Sequence, residues 1–224
     1  MKGLYMAGRR AMNLLRTERT MAKKQIGTIA LVGAVALAIL GGCTEFGKVD
    51  QGRVIKFDGE KRQCTIIRDA SLDPQNPDYS LLPPVVYDLP SDPKEMGAEP
   101  KAGLRMKLDP QNKTITIFDE ASQNLKTIAY TVIEQKDNVD KEDPLVFDKA
   151  AKQPKPFPVV DRDKKTITVF SKRQKVLVTF TLPEEYFTRP DYTWDAGDEV
   201  RIYYKQAGVA SRLMNVSKTD IFKK

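Results

Sequence analysis

The chain has 224 residues and a formal net charge of +7, with two cysteines and no histidine. The missing histidine excludes the commonest general base, the usual zinc ligands and the Ser-His-Asp and Cys-His nucleophile pairs. The positive charge belongs to one end: residues 1–42 hold seven basic side chains and one acid, whereas residues 43–224 hold 30 basic and 29 acidic residues interleaved by sign, which removes the single-sign face that nucleic-acid binding requires.

Residues 1–20 are basic and precede a second methionine, Met21. From Met21 the chain reads as a compact signal peptide: Ala22-Lys23-Lys24, an uncharged stretch to Gly42, then Cys43. Translation is expected to begin at Met21, with a genuine long n-region from Met1 as the alternative. The apolar run is about as short as a membrane span can be and carries Gly27, Gly33, Gly41 and Gly42. It therefore makes a poor transmembrane helix, although an uncleaved anchor or plain secretion remain the alternative readings.

The small residues Gly41-Gly42 ahead of Cys43, with Leu40 at −3, resemble the lipobox of bacterial lipoprotein precursors. The resemblance covers residues 21–43. It implies cleavage before Cys43, acylation of that cysteine and attachment to a lipid bilayer. Two or more acyl chains make such anchoring stable where one alone is marginal. Thr44 in place of aspartate resembles delivery to the outer membrane, facing the periplasm.

Beyond a tether at residues 43–52, three segments share one pattern. Their marker residues Asp58, Asp109 and Asp161 recur at spacings of 51 and 52 residues, and the second and third copies share Lys-Thr-Ile-Thr-x-Phe. Each copy reads as a strand, a turn opened by aspartate bonding an amide two residues on, and a second strand. On the second strands Cys64/Ile66, Ile115/Ile117 and Ile167/Val169 face one way, and Thr65, Thr116 and Thr168 face the other. Cys64 thus falls on the inner face and is expected to be a buried, inert thiol.

Further strands are predicted at 125–132, 176–182, 199–204 and 210–216. Two proline-rich connectors, 73–100 and 137–158, interrupt the pattern; each is expected to carry a short edge strand, at 84–88 and 144–148. No helix is predicted after residue 43. The fold class is therefore all-β: antiparallel small barrels or a sandwich built from three similar hairpins, preceded by a cleaved signal-peptide helix. The expected divisions are 1–42 signal peptide, 43–52 lipidated tether, 53–150 a β domain with its connector, and 151–224 a C-terminal β domain, separate from or continuous with the previous one. The hairpin 161–169 and the stretch Gly197–Tyr204 loosely resemble the small five-stranded, oligonucleotide-binding-type barrels of periplasmic proteins, and imply such a barrel over 157–216.

Two clusters are candidates for chemistry. Asp191, Asp195, Asp198 and Glu199, with Glu184 and Glu185, are expected to be solvated turn residues, with calcium binding or paired-carboxylate catalysis as the alternatives. Tyr186, Phe187, Tyr192, Trp194, Tyr203 and Tyr204 form the densest aromatic stretch. They either plug the open end of a barrel or form a binding surface. There is no glycine-rich phosphate cradle, so no nucleotide, flavin or other cofactor is expected. The reading is a non-enzymatic, structural or accessory lipoprotein of the cell envelope with protein partners. The alternative is a module that binds envelope polysaccharide, peptidoglycan or a small ligand through the aromatic stretch. No nucleic acid is expected as partner.

Overall fold

In the computed structural model, which describes residues 46–71, 73 and 76–219, the first hairpin pairs β1 (Lys48–Asp58) with β2 (Gln63–Arg68). The expected signal peptide and Cys43 lie outside the described residues. β1 already begins within the stretch read as tether, pairing Lys48–Arg53 with β13 (Glu199–Gln206). Lys48-Val49-Asp50-Gln51 concealed this, because none of its side chains is buried and it shows no alternation of apolar and polar residues of the kind that marks an inner face.

The two ends of the described chain close one barrel, in the order β1-β13-β14-β3-β2, with β3 at Leu81–Asp88 and β14 at Val209–Asn215. β3 runs antiparallel to β2 and parallel to β14. Pro83 and Pro84, which lack amide hydrogens, fall where the β2–β3 register shifts between Ile66 and Arg68. Val54, Cys64, Ile66, Tyr87, Val200, Ile202 and Leu213 fill the interior. Cys64 is fully buried there, and burial pushes its thiol up to about 12.

The middle of the chain forms two sheets around a second core. One contains β4 (Arg105–Asp109), β5 (Thr114–Asp119) and β6 (Asn124–Ala129). The other runs β10 (Val159–Asp161), β11 (Thr166–Ser171), β12 (Val176–Thr181) and β7 (Thr131–Lys136). Ile115, Ile117, Ile167, Val169, Val178 and Phe180 meet between them, and the Tyr130 and Phe180 rings stack at 4.4 Å. Among the described residues only the short pair β8 (Phe147–Asp148) and β9 (Gln153–Pro154) stands outside these sheets. The described chain is all-β, with three short 3-10 helices and no α-helix.

The repeat is visible as geometry. Asp58, Asp109 and Asp161 each accept the amide three residues on, from Lys61, Asn112 and Lys164, at 2.9 Å. The stronger bond thus reaches one residue beyond the one the sequence pattern suggests, while the amides two residues on, of Glu60, Gln111 and Asp163, also bond the carboxylates. Each four-residue loop closes on a left-handed residue, Arg62, Lys113 or Lys165, at φ 51–54°. Gln123 and Lys175 close the next turn of each sheet in the same way. The threonine hydroxyls of Thr116 and Thr127, and of Thr168 and Thr179, pair at 2.9 Å at equivalent positions.

Gly47–Lys224 clusters as one compact unit, so the division at 150/151 does not separate two bodies. It cannot, because β7 lies before that boundary and pairs with β12 beyond it. The segments carrying the barrel resemblance are likewise apart: 161–169 is in the four-stranded sheet and Glu199–Gln206 is in the barrel. Residues 157–216 therefore form no barrel alone; closure needs β1, β2 and β3.

Candidate functional site

The barrel and the two-sheet core meet at a woven joint. Val54 accepts from the Gly103 amide at 3.0 Å and donates to the Asp198 carbonyl at 2.9 Å. Lys101 accepts from Asp198 at 2.7 Å, and Asp195 accepts from Arg105 at 2.8 Å. Backbones approach so closely that a Cβ on Gly103 would stand 2.4 Å from the Gly197 nitrogen, and one on Gly197 (φ 65°) would stand 2.4 Å from the Val54 oxygen. Ile55, Ile67, Tyr79, Leu104, Met106 and Phe118 seal the joint with a third apolar cluster.

A cleft of about 1360 Å³ opens beside this joint. The loop 141–158, proline-rich in sequence, forms one wall; it is packed down by Val146, which is 2% exposed. Ten lining side chains are lysine or arginine and four are carboxylates. Pairing within the cleft leaves this cationic excess unmatched. Asp195 pairs with Lys101, Asp198 with Lys218 at 3.5 Å, and Glu199 with Arg173 at 3.5 Å. Arg53, Arg105, Lys141, Lys149 and Lys172 have no carboxylate within ion-pair distance among the described residues.

Arg105 is the least expected of these. It sits on a strand flanked by buried Leu104 and Met106 and is itself only 8% exposed. A buried charge is ordinarily paired, because desolvation costs several kcal/mol. Here the Nε of Arg105 donates to the Trp194 carbonyl at 3.0 Å. Burial, with Arg53 alongside, lowers its pKa to about 10, against a smaller opposing pull from Asp195. Arg53 donates through Nη1 to the carbonyls of Arg105 and Met106, both at 3.0 Å, and lies over the Tyr79 ring at 4.7 Å. Its Nε is buried with no partner among the described residues. The two guanidinium groups thus form a desolvated cationic floor. The same cleft is lined by half-buried Phe147, Phe157 and Phe170; the last two rings are 6.0 Å apart and tilted. Such a surface can hold an anion by charge-assisted hydrogen bonds and an apolar face by ring contact.

The aromatic stretch does not form a surface. Trp194 is 0% exposed, Tyr186 8% and Phe187 7%, all within the two-sheet core, and the Tyr186 and Trp194 rings meet edge-on at 6.4 Å. Apolar sheet faces left open by the short strands pull these side chains in. Tyr192 remains 40% exposed with its hydroxyl on Glu120 at 2.9 Å. Tyr203 lies apart, half-buried on barrel strand β13. The acidic residues divide: Asp195, Asp198 and Glu199 line the cleft, each ion-paired, whereas Asp191 pairs with Arg162 at 2.6 Å and Glu184 with Lys165 at 2.9 Å. Among the described residues no three His, Cys, Asp or Glu side chains are grouped to hold a metal ion.

Residues 45–224 match the family model described as Domain of unknown function (DUF4881), and the chain belongs to that family. No curated protein and no solved structure matches the chain.

Proposed function

We propose that the protein is a non-enzymatic accessory lipoprotein of the cell envelope, tethered through acylated Cys43, whose folded part binds an anionic component in the joint cleft. The observation that carries the binding role is Arg105: a buried guanidinium at the cleft floor with no carboxylate partner among the described residues. Its uncompensated charge, beside that of Arg53, favours occupation of the cleft by an anion. The lack of histidine in the sequence supports a binding rather than a catalytic role. The lipobox-like Leu40-Gly41-Gly42-Cys43 supports the tether, and Thr44 supports the outer membrane as its place.

Calorimetric titration of the full-length protein in detergent with inorganic phosphate, and separately with citrate, tests the binding role. Saturable heat is expected in low salt, weakened by added chloride and lost when Lys172→Glu is combined with Arg173→Glu. No saturable heat with either anion would contradict it. For the tether, Cys43→Ser should leave the precursor unprocessed and out of the membrane fraction; unchanged fractionation would refute it.

A further inference from the structure

The cleft does not end at its arginine floor. Across Lys107 and Leu108 it meets a second hollow of about 520 Å³, bordered by Pro110, Gln111, Gln135 and Asp137. Lys107, Leu108 and Gln174 border both hollows. Gln174 is fixed at the saddle by donating from Nε2 to the Leu108 carbonyl at 2.9 Å. The surface changes character along this line. One end offers guanidinium groups and phenyl faces; the other offers three glutamine amides, with Lys107 matched by Asp109 at 3.7 Å.

Resting on the reading of the cleft as an anion site, we propose that its ligand is an acidic oligosaccharide lying along both hollows. One carboxylate or phosphate sits on the Arg53–Arg105 floor, the first ring lies against Phe157 and Phe170, and further hydroxyl-bearing rings cross to Gln111 and Gln135. Three observations select this chemistry. First, the two hollows share Lys107, Leu108 and Gln174 as lining, so an occupant that reaches both is extended. Second, the unmatched cations Arg53, Arg105, Lys141, Lys149 and Lys172 all border the main hollow, whereas the second hollow has only Lys107, already matched by Asp109, so the anionic group belongs to one end of the ligand. Third, amides that both donate and accept suit hydroxyls, whereas a polyphosphate or nucleic-acid backbone calls for continued positive charge.

The test is calorimetry on the full-length protein in detergent with five probes: inorganic phosphate, a neutral trisaccharide, the same trisaccharide ending in one glucuronic acid, the same trisaccharide carrying one phosphate, and a ten-residue oligothymidylate. At least one acidic trisaccharide is expected to bind tenfold or more tighter than both inorganic phosphate and the neutral sugar; which one does so identifies the anionic group. Gln111→Ala with Gln135→Ala, both at exposed positions, should weaken that trisaccharide severalfold and leave phosphate binding unchanged. Acidic trisaccharides no tighter than phosphate, or indifferent to the double variant, would overturn the oligosaccharide while leaving the anion site standing. Tightest binding by the oligothymidylate would overturn it in favour of nucleic acid. Binding of none of the five would remove the anion site as well.

Discussion

The Nε of Arg105 donates to the main-chain carbonyl of Trp194 at 3.0 Å, so the arginine of the cleft floor hangs from the backbone of a fully buried tryptophan. This joins two features that are 89 residues apart in sequence. The aromatic stretch contributes to the site by packing: its rings anchor the loop in the two-sheet core, and the loop's carbonyl aims the guanidinium.

Removing that anchor should act on stability first. Trp194→Ala empties a fully buried site, and large-to-small changes of this kind cost about 3–5 kcal/mol. For a folded part of this size that corresponds to a fall in Tm of about 10 °C. Calorimetric melting checks it; a shift within about 2 °C would show that the ring is not part of the core.

The joint depends on two glycines. Gly103→Ala and Gly197→Ala each bring a methyl group against backbone atoms at 2.4 Å, so each is expected to cost about 2 kcal/mol or more. Gly208, also at positive φ (77°), has room around it: beyond its chain neighbours, a Cβ there would meet nothing nearer than the Val86 carbonyl oxygen at 3.7 Å. Gly208→Ala should therefore cost only the left-handed backbone penalty, about 1 kcal/mol. Urea denaturation of the three variants gives the ranking directly.

Acid should loosen the repeated turns. Backbone amides, chiefly of Lys61, Asn112 and Lys164, hold the Asp58, Asp109 and Asp161 carboxyls below their ordinary value of 3.8. A carboxyl with a depressed folded pKa adds stability that is full above its unfolded pKa and is lost as pH falls through the folded one. Stability should therefore decline below about pH 4. Asp109→Ala with Asp161→Ala should be less stable at neutral pH and show a shallower acid decline. Denaturation midpoints from pH 2 to 7 measure both; equal acid slopes would contradict the turn bonds.

Thiol counting separates the two cysteines. Cys64 is buried in the barrel with its thiol pushed up to about 12, so it should resist alkylation in the native protein and react promptly in denaturant. If Cys43 is acylated, the denatured membrane-derived protein should label at one thiol per chain. Two labelled thiols would contradict the acylation.

The hairpins were legible in the sequence because three independent signals agreed on them: period-two alternation, the marker aspartates and the repeat spacing. The inner faces of Cys64, Ile115 and Ile167 came out at 0% exposure. Barrel closure was not legible, because the pairing of β1 with β13 joins residues such as Gln51 and Arg201, and local pattern carries no register over that distance. The cleft was hidden for a related reason. A near-neutral composition after residue 42 conceals the gathering of cations from separate elements, with Arg53 from β1, Arg105 from β4 and Lys172 from the β11–β12 loop. One signal was present: Leu104-Arg105-Met106 places a charge between two apolar residues at the start of a core strand.

The most direct test of the anion site is crystallographic. Crystals of the full-length protein soaked in selenate should show an anomalous peak within hydrogen-bonding distance of the Arg53 and Arg105 guanidinium groups, absent in Arg105→Met. Selenate found only at surface lysines, with the arginine floor empty at full occupancy elsewhere, would contradict the cleft as the working site of the protein.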